Sequence, residues 1–172
     1  LSARARDAIE QTQSSTFAMD LKKWLAIMET YEQGGHAYHT TMPTDALTRL
    51  RDTMVETEAY GFNKVRDEQM ALGQKVRALL TDYGFISVAA EGFKAPGVVV
   101  SFTTDPGLQS SKKFLEVGLQ TAAGVPLQCD EGPDFMTFRL GLFGLDKWHD
   151  SDAAVASLEK ALAVVAPQTT TA

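Results

Sequence analysis

Phe135-Met136-Thr137-Phe138-Arg139-Leu140-Gly141-Leu142-Phe143-Gly144 is the stretch whose reading decides the fold. It is the strongest strand signal in the chain, rich in aromatic and apolar side chains and closed by glycines. One cation, Arg139, stands inside it. A buried guanidinium without a negative partner is costly, so two readings stand side by side. It forms a structural ion pair with one of the chain's 22 acidic residues, or it offers a planar fork to a bound carboxylate. Gly141 and Gly144 favour the fork, because they leave the backbone bare where a ligand approaches closely.

Upstream, the texture turns strand-like at Phe85. Phe85–Ala89 and Val98–Phe102 are β-rich runs bounded by glycine and proline, and Asp105-Pro106-Gly107 marks a turn. Ser110 or Ser111 is expected to cap a helix through about Gln120, and Val125–Gln128 reads as a short extended piece. Beyond the decisive strand, a helix capped near Asp150 or Ser151 aligns Val155, Leu158, Leu162 and Val165 on one stripe. Before Phe85 the signal is helical. A short helix spans about Ser2–Thr12, and Asp20–Glu32 spaces Leu21, Trp24, Leu25 and Met28 three and four apart. A long pattern then runs from Leu47 through Leu50, Met54, Val65, Leu72, Val76 and Leu79 to Tyr83, broken or kinked at Gly61 and capped by Gly84.

The expected fold class is α/β, as an α+β sandwich: a small, mostly antiparallel sheet with helices on one side, preceded by long connecting helices. The expected division is 1–84 as helical segment and connector, 85–166 as a small α/β domain, and 167–172 as a frayed tail.

Composition narrows the function classes. The 172 residues carry a net charge of −6 and are 44% hydrophobic, a balance that suits a soluble domain with a core. The mixture of acids and bases lacks the basic stripe of a nucleic-acid binder, and no apolar run reaches membrane-spanning length. The lone Cys129 precludes an internal disulfide, and with no visible signal peptide the expected location is cytoplasmic. A start at Leu1, directly into helix-like sequence, reads as a fragment or processed chain.

Gly34-Gly35-His36-Ala37-Tyr38-His39-Thr40-Thr41-Met42-Pro43 gathers a phenol, imidazoles and hydroxyls just before a helix start. An anion can dock at such a place; a plain helix–turn–helix connector with a threonine cap uses the same residues. His36 and His39 lack a third ligand nearby, since His149 lies in an unrelated loop, so no metal is expected. Cys129, beside Asp130 and Glu131, is poorly placed to be a nucleophile. Neither a Walker or Rossmann phosphate loop nor a nucleophile elbow is present.

Met19-Asp20-Leu21-Lys22-Lys23-Trp24-Leu25, Tyr38-His39-Thr40-Thr41-Met42-Pro43 and Phe138-Arg139-Leu140-Gly141-Leu142-Phe143-Gly144, in that order, resemble the class V aminotransferases. The alanine–glyoxylate and serine–pyruvate branch of these pyridoxal 5'-phosphate enzymes is the nearest in look. The resemblance implies the C-terminal small domain of a fold-type I transferase and transamination between an alanine- or serine-type amino acid and a glyoxylate- or pyruvate-type oxo acid. It implies that Tyr38 and Thr41 reach across a homodimer interface to the phosphate of the neighbour's cofactor, and that Arg139 holds the substrate α-carboxylate. In place of the family's glycine cluster the chain has Val125–Gly132, which leaves the pocket edge open. None of the nine lysines has the small-residue context of the family's Schiff-base lysine. That lysine and the aspartate at the pyridine nitrogen are therefore expected in a large domain preceding this chain. No catalytic residue is expected here, and the chain alone should be inactive. The alternative is a non-catalytic small-molecule-binding or dimerisation module built on a similar α/β domain.

Overall fold

The computed structural model describes residues 1–166, apart from the side chain at 145. They fall into two compact units, one of residues 1–52 and one from Thr53 onward.

The first unit is built from α1 (Ala3–Gln11), α2 (Leu21–Glu32) and the beginning of α3 (Thr44–Tyr60). Local chemistry sets its helix ends. Ser2 Oγ accepts the Ala5 N–H, and the Asp20 carboxylate accepts the N–H groups of Lys22 and Lys23 at 3.1 Å each. Gly34 at φ 79° closes α2 with a bond from its N–H to Tyr31 O. Arg6–Glu29 and Lys22–Glu10 pair α1 with α2. Ile9 is the one buried apolar side chain among this unit's described residues.

The second unit holds α4 (Phe62–Asp82), β1 (Val98–Phe102), α5 (Pro106–Gln109), α6 (Lys112–Glu116), β2 (Ala122–Ala123), β3 (Thr137–Gly141), α7 (Leu145–His149) and α8 (Ser151–Val165). Its sheet has the order β1-β3-β2 and is antiparallel throughout. The register pairs Val99 with Leu140 and Ser101 with Phe138, and all four are buried. Strand alternation puts Val100, Arg139 and Ala122 together on the opposite face. Leu72, Val76 and Leu80, one turn apart on α4, meet Phe114 of α6 and Leu158 and Leu162 of α8 in the core. Burying each large side chain stabilises the unit by roughly 1.5–3 kcal/mol.

Polar contacts fix the helices on this core. The buried Gln69 donates to Pro96 O at 3.0 Å and accepts from Trp148 Nε1 at 2.7 Å, tying α4 to the approach to β1 and to α7. Just below, a Cβ on Gly73 would come within 2.8 Å of Pro96 O, so α4 and that segment touch backbone to backbone.

Several expectations are corrected. The boundary expected between 84 and 85 lies inside the second unit, because α4 buries its apolar face in the core instead of serving as a connector. The expected tail, 167–172, lies outside the described residues. Phe85–Ala89 forms a single bridge, Ser87 to Ser101, in place of a full strand. The helix expected after Ser110 or Ser111 starts there, as α6 with Ser111 at its N-cap, but it ends at Glu116, short of Gln120, and Gly118 at φ 81° turns the chain away. The extended piece sits at Ala122–Ala123, where it pairs with β3, and not at Val125–Gln128. Gly61, at φ 102°, ends α3 and opens α4, as its position in the sequence suggests. No helix among the described residues is long and apolar enough to cross a membrane.

Candidate functional site

Each unit carries one group of candidate residues. In the first, the loop after Gly34 and Gly35 is pinned by His39. Its Nε2 lies 2.9 Å from Phe17 O, and its ring packs on Phe17 and edge-on to Trp24. That anchoring leaves Tyr38 outward, 73% exposed, with its hydroxyl 3.3 Å from Thr41 Oγ1. The Tyr38 and Thr41 hydroxyls meet immediately before the start of α3. Hydroxyls at this spacing can donate to neighbouring oxygens of one anion. Asp45 already supplies a negative charge to the first turn of α3, so the helix end adds little pull of its own.

In the second unit Arg139 is half-buried, not buried, because its place in β3 points it away from the core. Its Nε donates to Ala123 O at 2.7 Å, across the β2–β3 pair. Among the described residues no carboxylate pairs with it, and its Nη1 and Nη2 groups have no protein acceptor. Among the described residues the structural ion pair does not form. The bond through Nε leaves the two terminal nitrogens free to face a ligand, and a side chain at the neighbouring Gly141 would meet nothing within 4 Å. A fixed guanidinium edge beside bare backbone can grip a planar carboxylate at two points.

The stretch from Val125 to Gly132 closes on itself. The Glu131 carboxylate accepts the N–H groups of Leu127, Gln128 and Cys129 at 2.5, 2.8 and 2.6 Å. Those bonds, led by the one from Cys129, hold the Glu131 carboxyl below the usual carboxylate range. Gln128 and Asp130 adopt positive φ to allow the wrap. No sequence signal foretold it, since it depends on two non-glycine residues in the left-handed region.

The histidines go to separate aromatic neighbours: His36 to Tyr31, His39 to Phe17 and Trp24, His149 to Tyr60. Among the described residues no three His, Cys, Asp or Glu side chains cluster as metal ligands. Lys22 and Lys23 are exposed, and Lys22 is engaged by Glu10 at 3.1 Å.

No protein-family model matches the chain, and a search of curated proteins finds no relative. Among solved structures, it is similar to an alanine–glyoxylate aminotransferase from Nostoc sp., with a TM-score of 0.70 at 17% identity. The similarity covers 94% of this chain and 42% of that one, so the chain spans less than half the length of that protein. At this identity the likeness is one of fold: helices with a small three-stranded antiparallel sheet, matching a fragment of an aminotransferase fold.

Proposed function

We propose that this chain is the C-terminal part of a class V, pyridoxal 5'-phosphate-dependent aminotransferase. The complete enzyme would move an amino group between an alanine- or serine-type amino acid and a glyoxylate- or pyruvate-type oxo acid. The observation that carries the reading is Arg139: an arginine on the open face of β3, tethered through Nε and free at both terminal nitrogens. The fold likeness to an aminotransferase supports it.

When bound, pyridoxal phosphate supplies an electron sink for the substrate's α-carbon. This chain's residues would do the holding. Arg139 takes the α-carboxylate with two parallel N–H bonds, and its bond to Ala123 O sets the plane of the fork before substrate arrives. Val100 and Ala122, its cross-strand neighbours, leave no competing polar group beside it. Tyr38 and Thr41 would each donate to the phosphate of the cofactor in the other subunit of a homodimer, a role that their 3.3 Å spacing fits. The exposed apolar side chains of the first unit, Phe17, Met19 and Leu50 among them, suit coverage by protein. Proton transfer at the α-carbon would fall to a lysine of the large domain, since Lys22, the lysine paired with Glu10 on α1, is exposed and already engaged.

The test uses the complete enzyme. Arg139→Lys should raise the KM for the amino acid nearly as much as Arg139→Ala, since a point charge cannot replace a two-pronged grip. Unchanged KM in both variants would remove Arg139 from the site. Tyr38→Phe and Thr41→Ala should lose cofactor on dialysis, each forfeiting a hydrogen bond to a charged group worth about 1.5–3 kcal/mol. Full retention in both would overturn the phosphate assignment.

A further inference from the structure

We propose that a cleft on the core side of the second unit's sheet binds a small primary amine with an apolar body, such as an alkylammonium ion. This inference does not depend on the aminotransferase reading; Arg139 faces the other side of the sheet and is not part of the cleft.

The cleft has a volume of about 350 Å³, at the small end of the range for small-molecule pockets. Its floor is apolar and well supported. Leu72 and Val76 of α4, Leu140 of β3 and Leu158 of α8 line it, and all four are core residues held in place by packing. A pocket floored by the core keeps its shape before a ligand arrives, so little ordering cost falls on binding. Thr121, on the loop leading into β2, forms part of the wall, and its hydroxyl is buried without a protein partner.

The mouth selects for charge. Asp146, Lys147 and Asp150 stand around it. Lys147 Nζ is spent on Phe143 O at 2.8 Å and on Asp146 at 3.4 Å. Nearby, Lys75 is taken by Asp152 at 2.6 Å. Asp150 caps α8 through the Ala153 N–H at 2.9 Å, and among the described residues no cation pairs with it. Two carboxylates against one ammonium leave these three side chains with a net charge of −1 over an apolar floor. An ammonium head at Asp150 with a hydrocarbon tail against Leu72 and Leu158 satisfies both, while a carboxylate head is repelled.

The experiment titrates the chain with hexylammonium, 1-hexanol and hexanoate, three probes of one length and different charge, followed by amide chemical shifts. Hexylammonium should bind saturably, with shifts at Thr121, Leu142 and Ala154, ahead of hexanol and well ahead of hexanoate. Asp150→Asn keeps the helix cap, because asparagine caps as well as aspartate, yet removes the charge. It should cut the advantage of hexylammonium over hexanol by about threefold, the scale of an exposed charge pair. Ser157→Phe, at an exposed position on the wall, should block all three probes, with circular dichroism confirming the fold. Equal affinity for the three probes, no saturable binding, or unchanged binding in Ser157→Phe would each overturn the proposal. Should Ser157→Phe fail to fold, the Asp150→Asn selectivity alone decides.

Discussion

The two units carry the same kind of helical pattern and use it differently. On α8, Leu158, Leu162 and Val165 repeat every three to four residues and are all buried. On α2, Leu21, Trp24, Leu25 and Met28 repeat just as regularly, yet that helix has no buried residue, and Leu21 is 55% exposed. Apolar periodicity marks which face of a helix seeks cover; it does not say what provides the cover. In the second unit the chain covers its own faces with a sheet and neighbouring helices. In the first, caps and surface ion pairs do most of the work, and the apolar faces remain available to a partner.

The largest expected contrast tests that difference directly. Phe138→Ala, at a fully buried position in the sheet, should cost about 3–5 kcal/mol in urea unfolding. Leu21→Ala in the first unit should change stability by no more than about 0.5 kcal/mol. Equal losses would mean that the isolated chain buries α2 in solution and would erase the distinction.

A middle-sized effect concerns polar ties. Gln69→Leu strands Pro96 O and the Trp148 N–H at once and should cost about 2 kcal/mol. Its counterpart in the first unit, Trp24→Phe, gives up a single bond to Ala18 O at a half-buried site and should cost nearer 1 kcal/mol. Thermal melts of both variants rank them. The reverse order would show that the first unit is the more tightly organised.

The smallest effect is a pH dependence confined to the second unit. The Lys113 ammonium, helped by the Gly107 N–H, holds the Asp105 carboxyl below its ordinary value. A lowered carboxylate contributes stability above the ordinary carboxylate range and loses it as the pH falls through the lowered value. Because the pair is partly exposed, its contribution should be about 0.5 kcal/mol. The Tm gap between the wild-type chain and Asp105→Asn should therefore be present at pH 7 and close as the pH falls below the ordinary carboxylate range. A gap that does not change with pH would assign Asp105 a role as turn former alone.

How much was legible depends on the residue. The alternation Phe138-Arg139-Leu140 contained the answer to where Arg139 points, since flanking residues that face the core force the middle one away from it. Reading the whole stretch as apolar obscured that. The resemblance alone paired Tyr38 with Thr41, and the approach of their hydroxyls to 3.3 Å depends on the loop that His39 pins. The Glu131 wrap was not legible, because it rests on two non-glycine residues with positive φ, Gln128 and Asp130, that surrounding contacts impose.

What the sequence by itself determined is what depends on neighbours a few residues away: the caps at Ser2, Asp20 and Asp150, the break at Gly61, the helical stripes and the strand around Phe138. Tertiary structure alone decided that α4 belongs to the core, that β2 forms at Ala122–Ala123, and that Arg139 meets the Ala123 carbonyl. Those outcomes rest on groups brought together from far apart in the chain, as when Trp148 donates to Gln69 across 79 residues. Local spacing cannot encode such a meeting, since it is set by the packing of whole elements on a shared core.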